Sequence, residues 1–258
     1  MIAYGRKMPY FSTYPFYKKS GSKKLLITIG DSWTHGVGSY NPELLSQYRK
    51  KEITDVELYG NSNDTFYETG WPAVLADILE CDLINYASGG DSNSACVKRL
   101  INEYDEDHKQ EYDHVTIIWL LTGSHRFSFY SDNELKSFAP VGKYTDPIFK
   151  KYIKDVVKSD DDAYLETAFY LKTMQYYCKA KGYNFIYGSA WEGILPLNKV
   201  VDLDSNLHTF VQGGGITSLA CILEDGDRSH CLHPNAQGYK RIANYLYKVI
   251  FENMKVWI

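Results

Sequence analysis

The sequence predicts an α/β fold, a parallel sheet covered by helices on both faces. Two observations carry this expectation. Short apolar runs, "KLLITIG", "CDLINYA", "HVTIIWLLTG" and "NFIYGSA", read as buried strands, and the segments between and after them hold apolar residues at helical spacing. Strands that alternate with helices pack best as a parallel sheet between two helical layers. The length, 258 residues, suits one large domain, and neither an internal repeat nor an interdomain linker interrupts it.

Residues 1–23 read as an aromatic, basic arm without periodicity. The first strand, from Lys24, stops at Gly30. A loop rich in Gly, Asn and Asp is expected next. "GWPAVLADILE" follows as a helix, with Pro72 in its first turn and Leu75, Ile78 and Leu79 on one face. The second strand gives way to the polar "SGGDSNS" and a helix bearing Val97, Leu100, Ile101 and Tyr104. The third strand is the most apolar run in the chain. Residues from about 124 to 160 and from 191 to 227 read as irregular excursions around the long helix "DAYLETAFYLKTMQYYCKAKG", which stops at Gly182, and the fourth strand. Asn235 is a good N-cap for a final helix whose buried face holds Tyr239, Ile242, Ala243, Leu246 and Ile250.

Composition excludes several classes. With 44% hydrophobic and 23% charged residues the chain is an ordinary globular one, and its net charge of -4 gives no reason to expect nucleic acid as a partner. No stretch approaches the ~20 apolar residues of a membrane span. The N-terminus lacks the apolar core of a signal peptide, so cytoplasmic synthesis is expected. The five cysteines (81, 96, 178, 221 and 231) are scattered without metal-ligand spacing, and read as small buried thiols rather than a disulfide framework. No metal or cofactor is expected.

In a parallel sheet, ligands bind beyond the carboxyl ends of the strands. Ser32, Gly90 and His125 each follow a predicted strand and would meet on one rim. A serine nucleophile needs a base to take its proton and donors to hold the oxyanion. The Ser32 and Gly90 N–H groups are candidate donors, and a side chain from "TGSHR", His125 or Arg126, would complete the set. In "DGDRSHCLHPNAQGYKRIA", His233 sits on a short loop anchored to the last helix and is the candidate base. Asp31, next to the serine, is expected to hold the turn by accepting nearby backbone N–H groups.

Together these segments resemble the SGNH hydrolases, the GDSL-type lipases and esterases. "GDSWTHG" resembles the first block, with Ser32 as nucleophile; "NYASGGDSN" the second, with Gly90 as oxyanion glycine; and "HPNAQGYKRIA" the last, with His233 as base. The resemblance runs from about residue 25 to 250. It implies a flavodoxin-like three-layer α/β/α sandwich with a parallel central sheet, and metal-free ester hydrolysis. The chain departs from the pattern twice. His125 stands where the third block has asparagine, and His230 stands where the family places an aspartate three residues before the histidine. Three arrangements are open: Asp227 reaches His233; His230 orients His233; or Asp227 and His230 are the working pair and His233 is structural. A dyad completed by a backbone carbonyl is a further arrangement.

The expected function is a serine esterase acting through an acyl-enzyme on a small ester, such as an O-acetyl group on a carbohydrate, with Phe127, Phe129, Tyr130 and Trp191 as candidate pocket residues. The alternative is a catalytically silent SGNH-like module that binds a glycan or serves in a larger assembly. A nucleotide binder is weaker, since "GDSWTHGVG" has no P-loop lysine.

Overall fold

A computed structural model of the protein describes residues 16–103, 111–124, 126–131, 134–138, 160–190, 208–209 and 218–253. Strands β1 (Phe16–Lys18), β2 (Lys24–Ile29), β3 (Asp82–Asn85) and β4 (His114–Leu121) enter one sheet. After a separate antiparallel hairpin, β5 (Phe127–Ser131) and β6 (Glu134–Phe138), come β7 (Asn184–Ser189) and β8 (His208–Thr209). The sheet order is β1-β3-β2-β4-β7-β8, parallel throughout except for β1, which pairs antiparallel to β3 at the edge. The chain thus leaves β2 for one neighbour, β3, then crosses to the other, β4. That reversal opens a crevice at the carboxyl end of β2.

Alternation along the strands sorts the core into two layers. Leu25, Ile27 and Ile29 of β2, with Ile117, Trp119 and Leu121 of β4, face α6 (Asn93–Glu103) and α7 (Asp160–Lys181). Leu26, Ile118 and Leu120 face α5 (Trp71–Leu79) and α8 (Ala236–Leu246). The near-continuous apolar runs follow from this, because both faces of each central strand are buried. This is the three-layer α/β/α sandwich with a parallel central sheet that the sequence predicts.

The chain departs from expectation at residues 31–69. In place of a loop there are four short helices: α1 (Ser32–His35), α2 (Pro42–Arg49), α3 (Asp55–Asn61) and α4 (Asn63–Thr69). Side-chain caps start α2 and α3. The Asn41 side chain accepts from the Glu43 and Leu44 N–H groups, and Thr54 and Glu57 form a reciprocal capping box. Leu58, Phe66, Val37 and Tyr40 pack into a third, smaller core beneath the site. The end of the N-terminal arm is part of the domain, for the Asp82 carboxylate collects the Ser20 N–H at 2.6 Å, the Gly21 N–H at 3.1 Å and the Tyr112 hydroxyl at 2.8 Å. The last helix also changes pitch: α8 ends at Leu246 and a π-helix carries the chain through Tyr247–Asn253.

The loop after β3 is held from below by a buried ion pair, in which the Arg99 guanidinium of α6 binds both oxygens of Asp91 and also donates to the Tyr86 carbonyl at 2.8 Å. Breaking one side of such a pair strands a charge in the core. Arg99→Leu is therefore expected to destabilise the fold by about 3–5 kcal/mol, read as a lower urea midpoint with an unchanged m-value. A loss below ~1 kcal/mol would show that water reaches Asp91.

Candidate active site

Ser32 opens α1 just beyond β2. Asp31 is the N-cap: one carboxylate oxygen accepts the Trp33 N–H at 3.0 Å, and the other accepts the Thr122 hydroxyl at 2.8 Å and Arg126 Nη1 at 2.9 Å. Asp31 is fully buried, and these bonds tie it to the turn and to the segment after β4. As the first residue of a helix, Ser32 has a backbone N–H with no intrahelical acceptor. Asn85, at the end of β3, fixes the other end of α1 by donating to the Thr34 carbonyl at 3.0 Å.

His233 arrives from the far end of the chain. Its Nε2 lies 2.8 Å from Ser32 Oγ, across 201 residues of sequence. Its Nδ1 lies 3.2 Å from the carbonyl oxygen of Cys231. A carbonyl can only accept, so Nδ1 carries the proton and Nε2 presents a lone pair to the serine hydroxyl. Trp33, buried beside the imidazole with ring centroids 6.4 Å apart, also lies under the Arg228 guanidinium at 5.7 Å.

The His233 loop is tight. Ser229 N–H donates to the His233 carbonyl at 2.8 Å, Leu232 N–H to the Ser229 carbonyl at 3.0 Å, and Arg228 Nη1 to the Leu232 carbonyl at 3.1 Å. Leu232 is left-handed at φ 67°, a cost of about 1–2 kcal/mol for a residue with a Cβ. Gly38 sits against the loop at φ 111°, where a Cβ would lie 2.4 Å from the Pro234 carbonyl and 2.9 Å from His233 Cβ. The Tyr239 hydroxyl of α8 donates to the Val37 carbonyl at 2.7 Å and closes the junction.

The structure separates the candidates for the third member. Asp227 does not face His233. Its carboxylate accepts the Glu224 N–H at 2.8 Å and Arg241 Nε at 2.6 Å, and its carbonyl accepts the Asn235 N–H at 2.8 Å. The Glu224 N–H and the Arg241 guanidinium hold the Asp227 carboxyl below its usual range, against the opposing effect of burial. The His230 ring stacks between Tyr40 and Tyr48, with centroids 5.1 and 5.2 Å away. Of the arrangements open in the sequence, the geometry found is the one with a backbone carbonyl at Nδ1.

Gly90 lies on the loop after β3 at φ 85°, anchored by Asp91 and Arg99. Arg126, a candidate oxyanion donor by sequence, is committed elsewhere. Its Nη1 bridges the Asp31 carboxylate and the Asp91 carbonyl, at 2.9 and 3.1 Å, and ties the two strand-end loops together. His125 and Trp191, and the side chains of Phe127, Phe129 and Tyr130, lie outside the described residues. Among the described residues no group of three or more His, Cys, Asp or Glu side chains is placed to hold a metal ion, and no helix is long and apolar enough to cross a membrane.

No family model and no curated protein matches the chain by sequence. Solved structures do match in fold. A carbohydrate esterase whose active site displays divergent catalytic and non-catalytic binding functions aligns at 18% identity and a TM-score of 0.56, covering 92% of this chain and 67% of that one. The acetyl xylan esterase Est2A from Butyrivibrio proteoclasticus aligns at 14% identity and 0.50, covering 91% and 65%. A family 2 carbohydrate esterase with a carbohydrate-binding domain, from Corynascus thermopiles, gives 13% and 0.50, covering 91% and 67%. The chain thus spans about two thirds of the length of each. It shares the fold of these esterases.

Two variants test how the site is held. Gly38→Ala should separate the loops and weaken the Ser32–His233 contact, lowering stability by roughly 2–4 kcal/mol in chemical denaturation. Asp227→Asn tests the Asp227 anchor through pH. A carboxyl held low in the folded state contributes stability above its unfolded value and loses it as pH falls through the folded one. The stability gap between wild type and Asp227→Asn should therefore be full above about pH 4 and shrink below it. A gap independent of pH would sink the assignment.

Proposed function

We propose that the protein is a serine esterase that cleaves carboxylic esters through an acyl-enzyme. The observation that carries this reading is the 2.8 Å contact between His233 Nε2 and Ser32 Oγ. That distance is within the hydrogen-bond reach a general base requires. As Ser32 Oγ attacks the acyl carbon, His233 Nε2 takes the hydroxyl proton, and the Ser32 and Gly90 N–H groups hold the oxyanion. His233 returns the proton to the departing alcohol, leaving the acyl group on Ser32. Water then enters, gives a proton to His233 and its oxygen to the acyl carbon. Ser32 is released with that proton, and the free acid departs.

A small acyl group on a carbohydrate is the substrate class this reading favours. The fold neighbours include carbohydrate esterases and an acetyl xylan esterase. The departures from the family pattern leave a silent glycan-binding module as the contrary outcome of the test.

A serine-directed fluorophosphonate should label Ser32 in the wild type and not in Ser32→Ala, as mapped by peptide mass spectrometry. Turnover of a short-chain chromogenic ester should fall by ~10³-fold or more in Ser32→Ala and in His233→Ala. Neither labelling nor turnover above the Ser32→Ala background would make this a silent module.

A further inference from the structure

Helix α7 is apolar on two sides. Ala168, Leu171, Met174 and Cys178 are buried in the core against the sheet. On the outward side Leu165, Phe169 and Tyr176 are 50%, 65% and 65% exposed. A surface helix ordinarily turns charged and polar residues outward, and a row of exposed large apolar side chains marks a contact surface. The row is also regular. Asp162, Leu165, Phe169, Lys172, Tyr176 and Lys179 follow one another at steps of 3, 4, 3, 4 and 3 residues. That is the spacing of a coiled-coil seam. Lys172 is half-buried, and the other members of the seam are exposed.

We propose that this face of α7 binds a second copy of the chain, the two helices packing antiparallel about a two-fold axis. The seam points to a second copy because it is its own complement. A two-fold axis between positions 170 and 171 sets Asp162 against Lys179 of the partner subunit, Leu165 against Tyr176 of the partner subunit, and Phe169 against Lys172 of the partner subunit. Each pairing then occurs twice, as an isologous contact requires. Opposite charges meet at both ends, a leucine packs on a phenol ring inside them, and an ammonium lies against a phenyl face at the centre. Parallel pairing in register loses all of this, since it sets Asp162 against Asp162, Lys172 against Lys172 and Lys179 against Lys179 in the two copies. Like charges so placed disfavour that orientation, and the charge pattern selects the antiparallel one. The 22 residues of α7 span about 33 Å, long enough for the whole seam to engage. One helix per subunit makes an interface at the small end of the specific range, below ~1,200 Å² in total, so the dimer is a reversible one with a micromolar dissociation constant. No catalytic candidate belongs to the seam, and the inference does not rest on the esterase reading.

Sedimentation equilibrium on the intact chain at low salt, from about 1 to 200 μM, should show monomer and dimer in exchange. Phe169→Glu should raise the dissociation constant by about 30-fold or more, the effect of losing an aromatic anchor near the centre of an interface. Asp162→Lys and Lys179→Asp should each weaken the dimer by roughly 3- to 10-fold, and the two together should bring it back toward wild type. Every side chain replaced is exposed, so these variants should keep the wild-type urea midpoint. The register has its own readout. In the Leu165→Cys, Tyr176→Cys double variant, mild oxidation should give a covalent dimer whose linked peptides join position 165 to position 176. Along one helix those positions lie about 16 Å apart, too far for a disulfide, so the link forms only between copies. A chain that stays monomeric throughout the range overturns the inference, and leaves the seam to residues 139–159 of the same chain or to an unlike partner. A dimer that Phe169→Glu does not weaken overturns it as well, because another face then joins the copies. Links of 165 to 165 or 176 to 176 overturn the antiparallel register.

Discussion

The site depends on how closely two loops from opposite ends of the chain can approach. His233 reaches Ser32 because the Val37–Gly38 turn lies directly against the His233–Pro234 backbone, with no side chain between them. The Tyr239 hydroxyl stitches the contact from within the core at 2.7 Å. A proton transfer needs its partners held to within about half an ångström. Few devices other than a backbone-on-backbone contact set a distance that finely, because a flexible side chain in between would spread it. The glycines of the opening "GDSWTHGVG" thus serve a contact with the last block of the sequence as well as their own turn.

The two halves of the site are held by different physics. Behind Ser32 and Gly90, alternating charges run through the interior: Asp31, Arg126, then Asp91 through its carbonyl and carboxylate, and Arg99. Buried ions are costly unless each is paired and fully hydrogen-bonded. Here the Asp31 carboxylate takes three donors, and Arg99 spans a carboxylate and a carbonyl. What such a network secures is the relative position of two strand ends, the places from which oxyanion donors would come. The base is held instead by a small apolar core, a left-handed Leu232 and hydroxyl groups.

The four central strands and the final helix were legible because their signals are local and strong: apolar runs that stop at Gly30 and Gly123, and an Asn235 cap whose side chain accepts the Gly238 N–H at 3.0 Å, whereas β1, β5, β6 and β8 fall in stretches read as aperiodic or irregular. Ser32 and His233 were legible through the blocks that contain them. The helices of residues 31–69 were not, because α2 buries no residue and its neighbours run only a turn or two, too short for a 3.6-residue period to register. The caps of α2 and α3 were written in "NPE" and "TDVE", and weighing those above the Gly, Asn and Asp content would have found these two helices. Asp91 with Arg99, eight residues apart, carries no local signature, since the pair meets by way of a loop.

Cys231 shows most sharply why sequence spacing fails at the third member of the site. A rule that counts back three residues from the histidine lands on His230, whose ring lies among tyrosines. The chain between positions 229 and 233 is a turn with Leu232 at positive φ, and in such a turn the residue two places back brings its carbonyl toward the ring. Which residue meets the imidazole is thus set by the backbone path. That path is in turn fixed by Arg228, Ser229 and the Gly38 contact. A cysteine read as one of five scattered thiols has no distinguishing mark in the sequence. It acquires one only when Tyr40, packed against an unforeseen cluster of helices, arrives beside it with a hydroxyl group to donate. The helices missed between residues 31 and 69 and the thiol passed over at 231 therefore share one cause: the small core that joins them exists only in three dimensions.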